Sequence, residues 1–199
     1  MEGATTYLLK VVTDGVTLHE MEHAMTKRDR NTTKRHVSKT VSSPVGQLTL
    51  VASDDGLAAI LWEHDRPGRV PLRIEAEDQE HPVLVETERQ LKEYFAGARK
   101  TFTVTLDVEG TAFQRKVWGA LLTIPFGETR SYGQIAKQIG SPAAVRAVGA
   151  ANGRNPVSII APCHRVIGST GQLTGFAGGL DVKARLLALE GAGGGRQRL

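Results

Sequence analysis

TAFQRKVWGALLTIPFGETRSYGQIAKQIGSPAAVRAVGAA, residues 111–151, is the stretch that decides the fold. Its apolar residues recur at helical spacing, and two Ser/Thr–x–x–Gln patterns, at Thr111 and Ser131, are capping boxes that begin helices. A third helix is predicted to begin with Ser141 as its N-cap and Pro142 as its first residue. The C-terminal half of the chain is therefore predicted to be mainly helical.

The second and third of these helices are short and are joined by a tight turn at Gly140, which suggests a helix-turn-helix. An ordinary pair of packed helices in a core is the alternative. Small side chains on the third helix favour DNA binding, because they let a helix approach a groove closely, and Arg146 is the long cation among them. The small residues are Ala143, Ala144, Ala147, Gly149, Ala150 and Ala151.

Upstream of this stretch, apolar residues alternate with polar ones, which predicts strands and a short antiparallel sheet. The predicted elements are a hairpin at 48–62, a surface loop at 64–80, a helix at 83–96 and a strand at 102–106. Trp62 and Trp118 are predicted to be core residues. The fold class is thus predicted to be α+β, a small α/β domain followed by a helical one.

The domain boundaries follow from composition. A polar, basic stretch at 25–39 predicts that residues 1–39 are a disordered extension, although residues 5–12 have the pattern of a short strand or helix. The N-terminal domain is predicted at 40–108 and the C-terminal domain at 109–190. The glycine-rich tail, 191–199, is predicted to be flexible.

Composition restricts the class of protein. No apolar run approaches the ~20 residues of a membrane helix, and no secretory signal is present, so a cytoplasmic location is predicted. The formal charge of +4 fits an anionic partner such as nucleic acid. A single cysteine excludes an intramolecular disulfide and a zinc site of several thiolates. An H-E-x-x-H pattern at His19–His23 lies in the polar extension and is interpreted as chance, so no metal is predicted.

The lone cysteine lies in Pro162-Cys163-His164-Arg165-Val166. A cysteine attacks as its thiolate, and a neighbouring base or cation is needed to form one at neutral pH. His164 and Arg165 are the candidates. Side chains of adjacent residues in a strand point apart, so a water molecule could carry the proton between them. A Cys-His pair alone is weak evidence for a catalytic site. The stretches of sequence before and after the pair make the functional interpretation specific.

Those stretches are FQRKVW, IPFGETRSYGQIA, AVRAVGAANGRNP, PCHRVIG and GFAGGLDVK. In this order they resemble the O6-alkylguanine-DNA alkyltransferase family over roughly residues 41–190. The resemblance implies DNA repair by irreversible, single-turnover transfer of an alkyl group from O6 of guanine to Cys163, with O4 of thymine left open as a second substrate. It also implies a monomer that flips the damaged nucleotide out of double-stranded DNA without a cofactor.

Catalytic roles also follow from the resemblance. His164 would take the proton of Cys163 through a water molecule, and Glu190 would hold and polarise that histidine. Asn155 would brace a tight turn near the site. Tyr132 would crowd the target phosphate, help rotate the nucleotide and donate a proton to the departing guanine.

The same resemblance predicts two further sets of residues. The DNA-binding residues are Arg146, which enters the duplex, with Tyr132, Ala144, Ala147, Gly149 and Arg165. The substrate-pocket residues are Val166, Ser158, Phe176, Ala177, Gly178 and Lys183. Two of these depart from some family members, which have proline in place of Ser158 and serine in place of Ala177, and a more open pocket is expected. A DNA-binding module without catalysis and a thiol hydrolase remain as alternatives.

Overall fold

The structure is a computed structural model that describes residues 7–10 and 34–192. Its strands are β1 (Tyr7–Lys10), β2 (His36–Ser43), β3 (Gly46–Ser53), β4 (Gly56–Trp62), β5 (Ile74–Glu77), β6 (Thr105–Val108), β7 (Arg130–Ser131) and β8 (Val166–Ile167). Its helices are α1 (Pro82–Phe95), α2 (Ala112–Leu122), α3 (Tyr132–Gln138), α4 (Val145–Gly153) and α5 (Leu180–Leu189), with a 3-10 turn at Cys163–Arg165. The α+β class is confirmed.

The N-terminal strands form one six-stranded sheet in the order β1-β6-β4-β3-β2-β5. Strands β2, β3 and β4 pair antiparallel through short turns, as the alternating pattern predicts. The predicted antiparallel sheet is confirmed only in part, however, because the sheet is mixed: β6 runs parallel to β4 and β5 parallel to β2. A parallel neighbour needs a long crossover, and the segment that carries α1 supplies one between β4 and β6.

Parts of the predicted extension and of the predicted loop are strands. Residues 7–10 pair with β6, and β2 begins at His36, four residues before the predicted start of the domain. Lys34 Nζ lies 2.5 Å from Oδ1 of the buried Asp107, which ties the start of this segment to the sheet. Strand β5 lies within the loop predicted at 64–80. The rest of the extension and most of the predicted tail lie outside the described residues.

The helices of the C-terminal half begin as predicted at two of three places. Thr111 and Ser131 each accept a hydrogen bond from the backbone N–H three residues later, in complete capping boxes before α2 and α3. The third helix begins at Val145 rather than at Ser141. The amide of Ala144 donates to the carbonyl of Ser141 instead, closing a turn with Pro142 at the position that proline favours.

The two halves share one core. Leu50, Leu57 and Leu106 from the sheet belong to the same buried cluster as Val117 and Leu186 from the helices. The backbone N–H of Ile60 in β4 also donates to the carbonyl of Pro156, 2.8 Å away, so the sheet contacts the chain that leads to the cysteine. Within the described ranges, no helix has the length and apolar character needed to cross a membrane.

Candidate active site

The apolar run before the cysteine, residues 157–161, forms a tight turn. Ala161 N–H donates to the Val157 carbonyl, and between them Ile159 has a φ of +76°. A β-branched residue is strained at positive φ and needs support from its surroundings. Asn155 supplies it, since its Oδ1 accepts from Val157 N at 3.1 Å and its Nδ2 donates to the Ala161 carbonyl at 2.7 Å. The turn fixes the backbone that enters Cys163.

Cys163 itself is buried, with 2% of its surface exposed. Its Sγ donates to Ser158 Oγ, 3.9 Å away. Burial raises the pKa of the Cys163 thiol, and the hydrogen bonds with Asn155 and Ser158 oppose that rise only in part. The positive charges of Lys183 and Arg69 act in the same direction as those bonds. The resting sulfur is therefore a protonated thiol, which needs a base to become a nucleophile.

His164, the residue that follows Cys163, is the candidate for that base. It is fully buried, and its Nε2 lies 2.9 Å from Glu190 Oε1. A carboxylate can only accept, so Nε2 carries the proton and Nδ1 has a free lone pair. In the part of the chain that the structure describes, Nδ1 has no hydrogen-bond partner. Burial lowers the pKa of His164 despite the nearby carboxylate, so the imidazole is neutral and can accept a proton.

Glu190 is held by donors from several elements. Arg165 binds it with two groups, Nε to Oε2 at 2.7 Å and Nη2 to Oε1 at 2.9 Å. The Tyr94 hydroxyl donates to Oε1 at 2.6 Å, and Gly127 N–H to Oε2 at 3.3 Å. Burial alone would raise the pKa of Glu190, but the hydrogen bonds from His164 and Arg165 outweigh it and hold that pKa well below the usual range. The carboxylate is ionised at neutral pH.

Arg165 corrects a sequence prediction. It was expected to bind DNA, but its side chain is buried and its Nη1 donates to the Ile124 carbonyl, while its other nitrogens bind Glu190. The sequence could not distinguish a buried arginine from an exposed one, because the distinction depends on a carboxylate 25 residues away. Arg165 binds the Glu190 carboxylate and is not available to a phosphate.

Part of the predicted pocket lies at the glycine-rich loop, residues 168–179. The buried Lys183 donates from Nζ to the carbonyls of Val166 and Thr174, at 2.6 and 2.7 Å. Burial lowers the pKa of Lys183 to about 8. The Tyr132 hydroxyl also contacts Thr174, 3.4 Å from its carbonyl. Phe176 then lies edge-on to the His164 ring, with centroids 6.4 Å apart. Residues 174–176 therefore connect Tyr132, Lys183 and His164.

Helix α4 presents the predicted DNA-binding residues on its outer face. Arg146 and Ala147 are exposed, and Ala144 and Gly149 are half-buried. Arg146 forms no hydrogen bond or ion pair with any residue in 7–10 or 34–192. The inner face packs on the protein, where Asn152 Nδ2 lies 3.5 Å from the carbonyl of Cys163. The helix thus joins an unpaired exposed cation to the backbone of the cysteine.

Three residues contribute to the site although the sequence did not predict them. Tyr94 and Arg69 reach it from the N-terminal half, and Asn152 from α4. Arg69 donates from Nη2 to the Ile60 carbonyl at 3.0 Å and from Nη1 to the carbonyl of Asn155. The helical spacing of Tyr94 is typical of an ordinary core position. Only three-dimensional proximity shows that its hydroxyl meets a carboxylate 96 residues away.

The carboxylate network predicts how stability depends on pH. Glu190 has a pKa below its ordinary 4.5, so its contribution is present above pH 4.5 and is lost as the pH falls. Between pH 5 and pH 3, we expect the free energy of unfolding of Glu190→Gln to fall less steeply than that of the parent. Urea unfolding at several pH values measures both slopes, and equal slopes would show that Glu190 is not an ionised, paired group.

A cavity of about 280 Å³ lies between α1 and the β2–β3 hairpin, and its apolar lining includes Val41, Leu48 and Phe95. Among the described residues, no group of three or more His, Cys, Asp or Glu side chains is placed to hold a metal ion. The H-E-x-x-H pattern at His19–His23 lies outside the described residues.

Comparison with known proteins gives consistent matches. The family model described as "6-O-methylguanine DNA methyltransferase, DNA binding domain" matches residues 112–192, and the "ribonuclease-like domain" of the same methyltransferase matches residues 37–108. A Methanosarcina acetivorans protein named methylated-DNA–protein-cysteine methyltransferase is 50% identical over 153 residues, 75% of this chain and 95% of the relative. A Mycolicibacterium paratuberculosis protein of the same name is 51% identical over 158 residues, 76% of this chain and 90% of the relative.

A solved structure is also similar. The crystal structure described as Mycobacterium tuberculosis OGT in complex with DNA superposes with a TM-score of 0.71 at 48% identity, covering 78% of this chain and 92% of the other.

Proposed function

Because the chain belongs to the 6-O-methylguanine DNA methyltransferase family, we propose that Cys163 is the sulfur that receives the alkyl group and that His164 and Glu190 activate it. The protein repairs DNA by transferring an alkyl group from guanine to a cysteine. Cys163 is the one cysteine in the sequence. The observation that carries the activation step is a buried, neutral imidazole whose Nε2 is bound to Glu190 and whose Nδ1 has no hydrogen-bond partner within residues 34–192.

The proposed reaction transfers the alkyl group from the guanine oxygen to the sulfur of Cys163. The thiol proton passes through a water molecule to His164 Nδ1, and the Glu190 carboxylate stabilises the imidazolium that forms. The thiolate attacks the alkyl carbon, so an S–C bond forms while the C–O6 bond breaks and its electron pair stays on guanine. Tyr132 supplies a proton to that guanine. A thioether has no leaving group for water to displace easily, so each protein molecule reacts once.

The target carbon must leave the base stack to reach a buried sulfur. We propose that α3 and α4 act as a helix-turn-helix whose small outer face, with Ala147 and Gly149, approaches a groove of double-stranded DNA. Arg146 then fills the space that the flipped nucleotide leaves, and Tyr132 crowds its phosphate.

The test is a mass measurement on the whole protein. After incubation with duplex DNA containing one O6-methylguanine, we expect the mass of one added methyl group, on the peptide that contains Cys163. Cys163→Ala should bind the same duplex and gain no mass. Binding without any added mass would instead indicate a DNA-binding module, and release of many product molecules per protein would indicate a hydrolase.

Arg146→Ala tests extrusion of the nucleotide. Flipping costs a few kcal/mol, so losing the side chain that fills the gap should slow transfer from duplex DNA by about 10- to 100-fold. Transfer from the free base, which needs no flipping, should be nearly unchanged. Single-turnover rates on the two substrates give the comparison, with the exposed Lys137→Ala in α3 as a control for lost positive charge. Equal losses on both substrates would exclude an extrusion role.

A further inference from the structure

One residue of the N-terminal half lies directly beneath the glycine-rich loop. Trp62, at the end of β4, is 93% buried, since only 7% of its surface is exposed. Its indole lies against Gly178 so closely that a Cβ at that position would fall 2.8–2.9 Å from three ring carbons. Phe176 meets the same indole edge-on, with ring centroids 5.4 Å apart. The indole is therefore a support on which this loop rests.

The loop is held at one end by hydrogen bonds and at the other by packing. Lys183 binds the Thr174 carbonyl, while Phe176 and Gly178 contact Trp62. Trp62 Nε1 has no hydrogen-bond partner among residues 7–10 and 34–192, so the size and shape of the ring define the contact. Glycine is the residue that permits so close an approach, because real Cβ atoms essentially never lie under 3.0 Å from a neighbour.

Phe176 connects the Trp62 indole to the ring of His164. Phe176 lies between two rings, with Trp62 at 5.4 Å and His164 at 6.4 Å. His164 follows Cys163 in the same 3-10 turn. A change in the position of Phe176 on the indole therefore changes its contact with His164, the residue next to Cys163 in the chain. Packed interiors transmit changes of a methylene or more in this way.

We propose that Trp62 is a specificity-determining residue that sets how large an alkyl group the site accepts, by fixing the position of Phe176–Gly178 relative to His164. The proposal rests on the proposed function, because it takes residues 176–178 as the wall of the alkyl pocket. It assigns to the N-terminal sheet an indirect part in substrate selection. Trp62 acts through the loop and does not itself touch the reacting atoms.

The central experiment compares transfer rates from duplexes that contain O6-methylguanine or O6-butylguanine. Trp62→Phe replaces the indole with a smaller ring and lets Phe176 settle away from His164. We expect the ratio of the butyl rate to the methyl rate to rise about 5- to 10-fold, within the range that a few methylene groups produce in an apolar pocket. An unchanged ratio would overturn the proposal.

A second variant tests the contact from the opposite side. Gly178→Ala places a methyl group against the indole, so the loop must lift and the methyl-transfer rate should fall. Adding Trp62→Phe to Gly178→Ala should restore much of that rate, because the smaller ring makes room. Independent, multiplicative losses in the double variant would show that the two residues do not act through their contact.

The chain offers a matched control. Like Trp62, Trp118 on α2 belongs to the core and lies against a glycine, since a Cβ at Gly110 would fall 2.6 Å from its ring, but its Nε1 donates to the Ala151 carbonyl at 2.9 Å. Trp118→Phe should leave the butyl-to-methyl ratio unchanged, whatever it does to stability. If it raises the ratio as much as Trp62→Phe does, general loosening is responsible and the proposal fails. A parent protein that transfers no alkyl group to Cys163 would refute the proposed function itself.

Discussion

Arg165→Met is expected to lower the free energy of unfolding by about 3–5 kcal/mol, because it leaves the buried Glu190 carboxylate without its main countercharge. The side chain also donates to the Ile124 carbonyl and lies 5.8 Å from the centre of the Phe126 ring. Methionine keeps much of the volume but supplies no donor. Since whole domains are stable by about 5–15 kcal/mol, a loss of this size leaves little margin.

Denaturant unfolding measures this loss, and Arg89→Met is the matched control. Arg89 also bonds two carboxylates, those of Glu86 and Glu93, but on the exposed surface of α1. Water replaces the lost partner there, so the control should be far less affected. If the two substitutions cost the same, the buried network around Glu190 contributes no more than a surface ion pair.

His164→Asn is expected to slow alkyl transfer at neutral pH by about 100- to 10,000-fold, the range that a positioned general base contributes. Asparagine has no basic nitrogen, while the burial that raises the pKa of Cys163 persists. The sulfur then ionises only when the pH approaches that raised pKa. The rate of the variant should therefore keep climbing with pH after the rate of the parent has levelled off.

Single-turnover rates across pH test this expectation, with His81→Asn as the control. The Nδ1 of His81 is also buried and without a hydrogen-bond partner in the described ranges, but this residue precedes α1, far along the chain from the cysteine. Its replacement should leave the rate unchanged. A His164→Asn protein that reacts as fast as the parent would mean that another group removes the thiol proton.

Local signals in the sequence predicted local structure well. The capping boxes at Thr111 and Ser131 form as expected, because each depends on residues three positions apart. The start of α4 was misplaced at Ser141, where the serine carbonyl closes a proline turn instead of its side chain capping a helix. Both outcomes depend on hydrogen bonds between residues that are close in sequence. The sequence shows which residues could form such a bond, but not which of the possible bonds forms.

Long-range partners were the main source of error. The parallel strands β5 and β6, the burial of Arg165 and the hydroxyl contact of Tyr94 all depend on segments distant in sequence. The resemblance to a family proposed Cys163, His164 and Glu190, and the structure brings the last two into contact. It gave no indication of the supports from the sheet, because those supports lie outside the quoted stretches around the cysteine.

The core common to the sheet and the helices has a consequence for how the protein melts. A piece carrying only the helical half would expose the apolar side chains that now face Leu50 and Leu106, and would lose the Tyr94 hydroxyl. Neither half is therefore expected to fold stably by itself. The whole protein should unfold on heating in one cooperative transition. A fragment that contains only the helical half should aggregate and should not repair DNA.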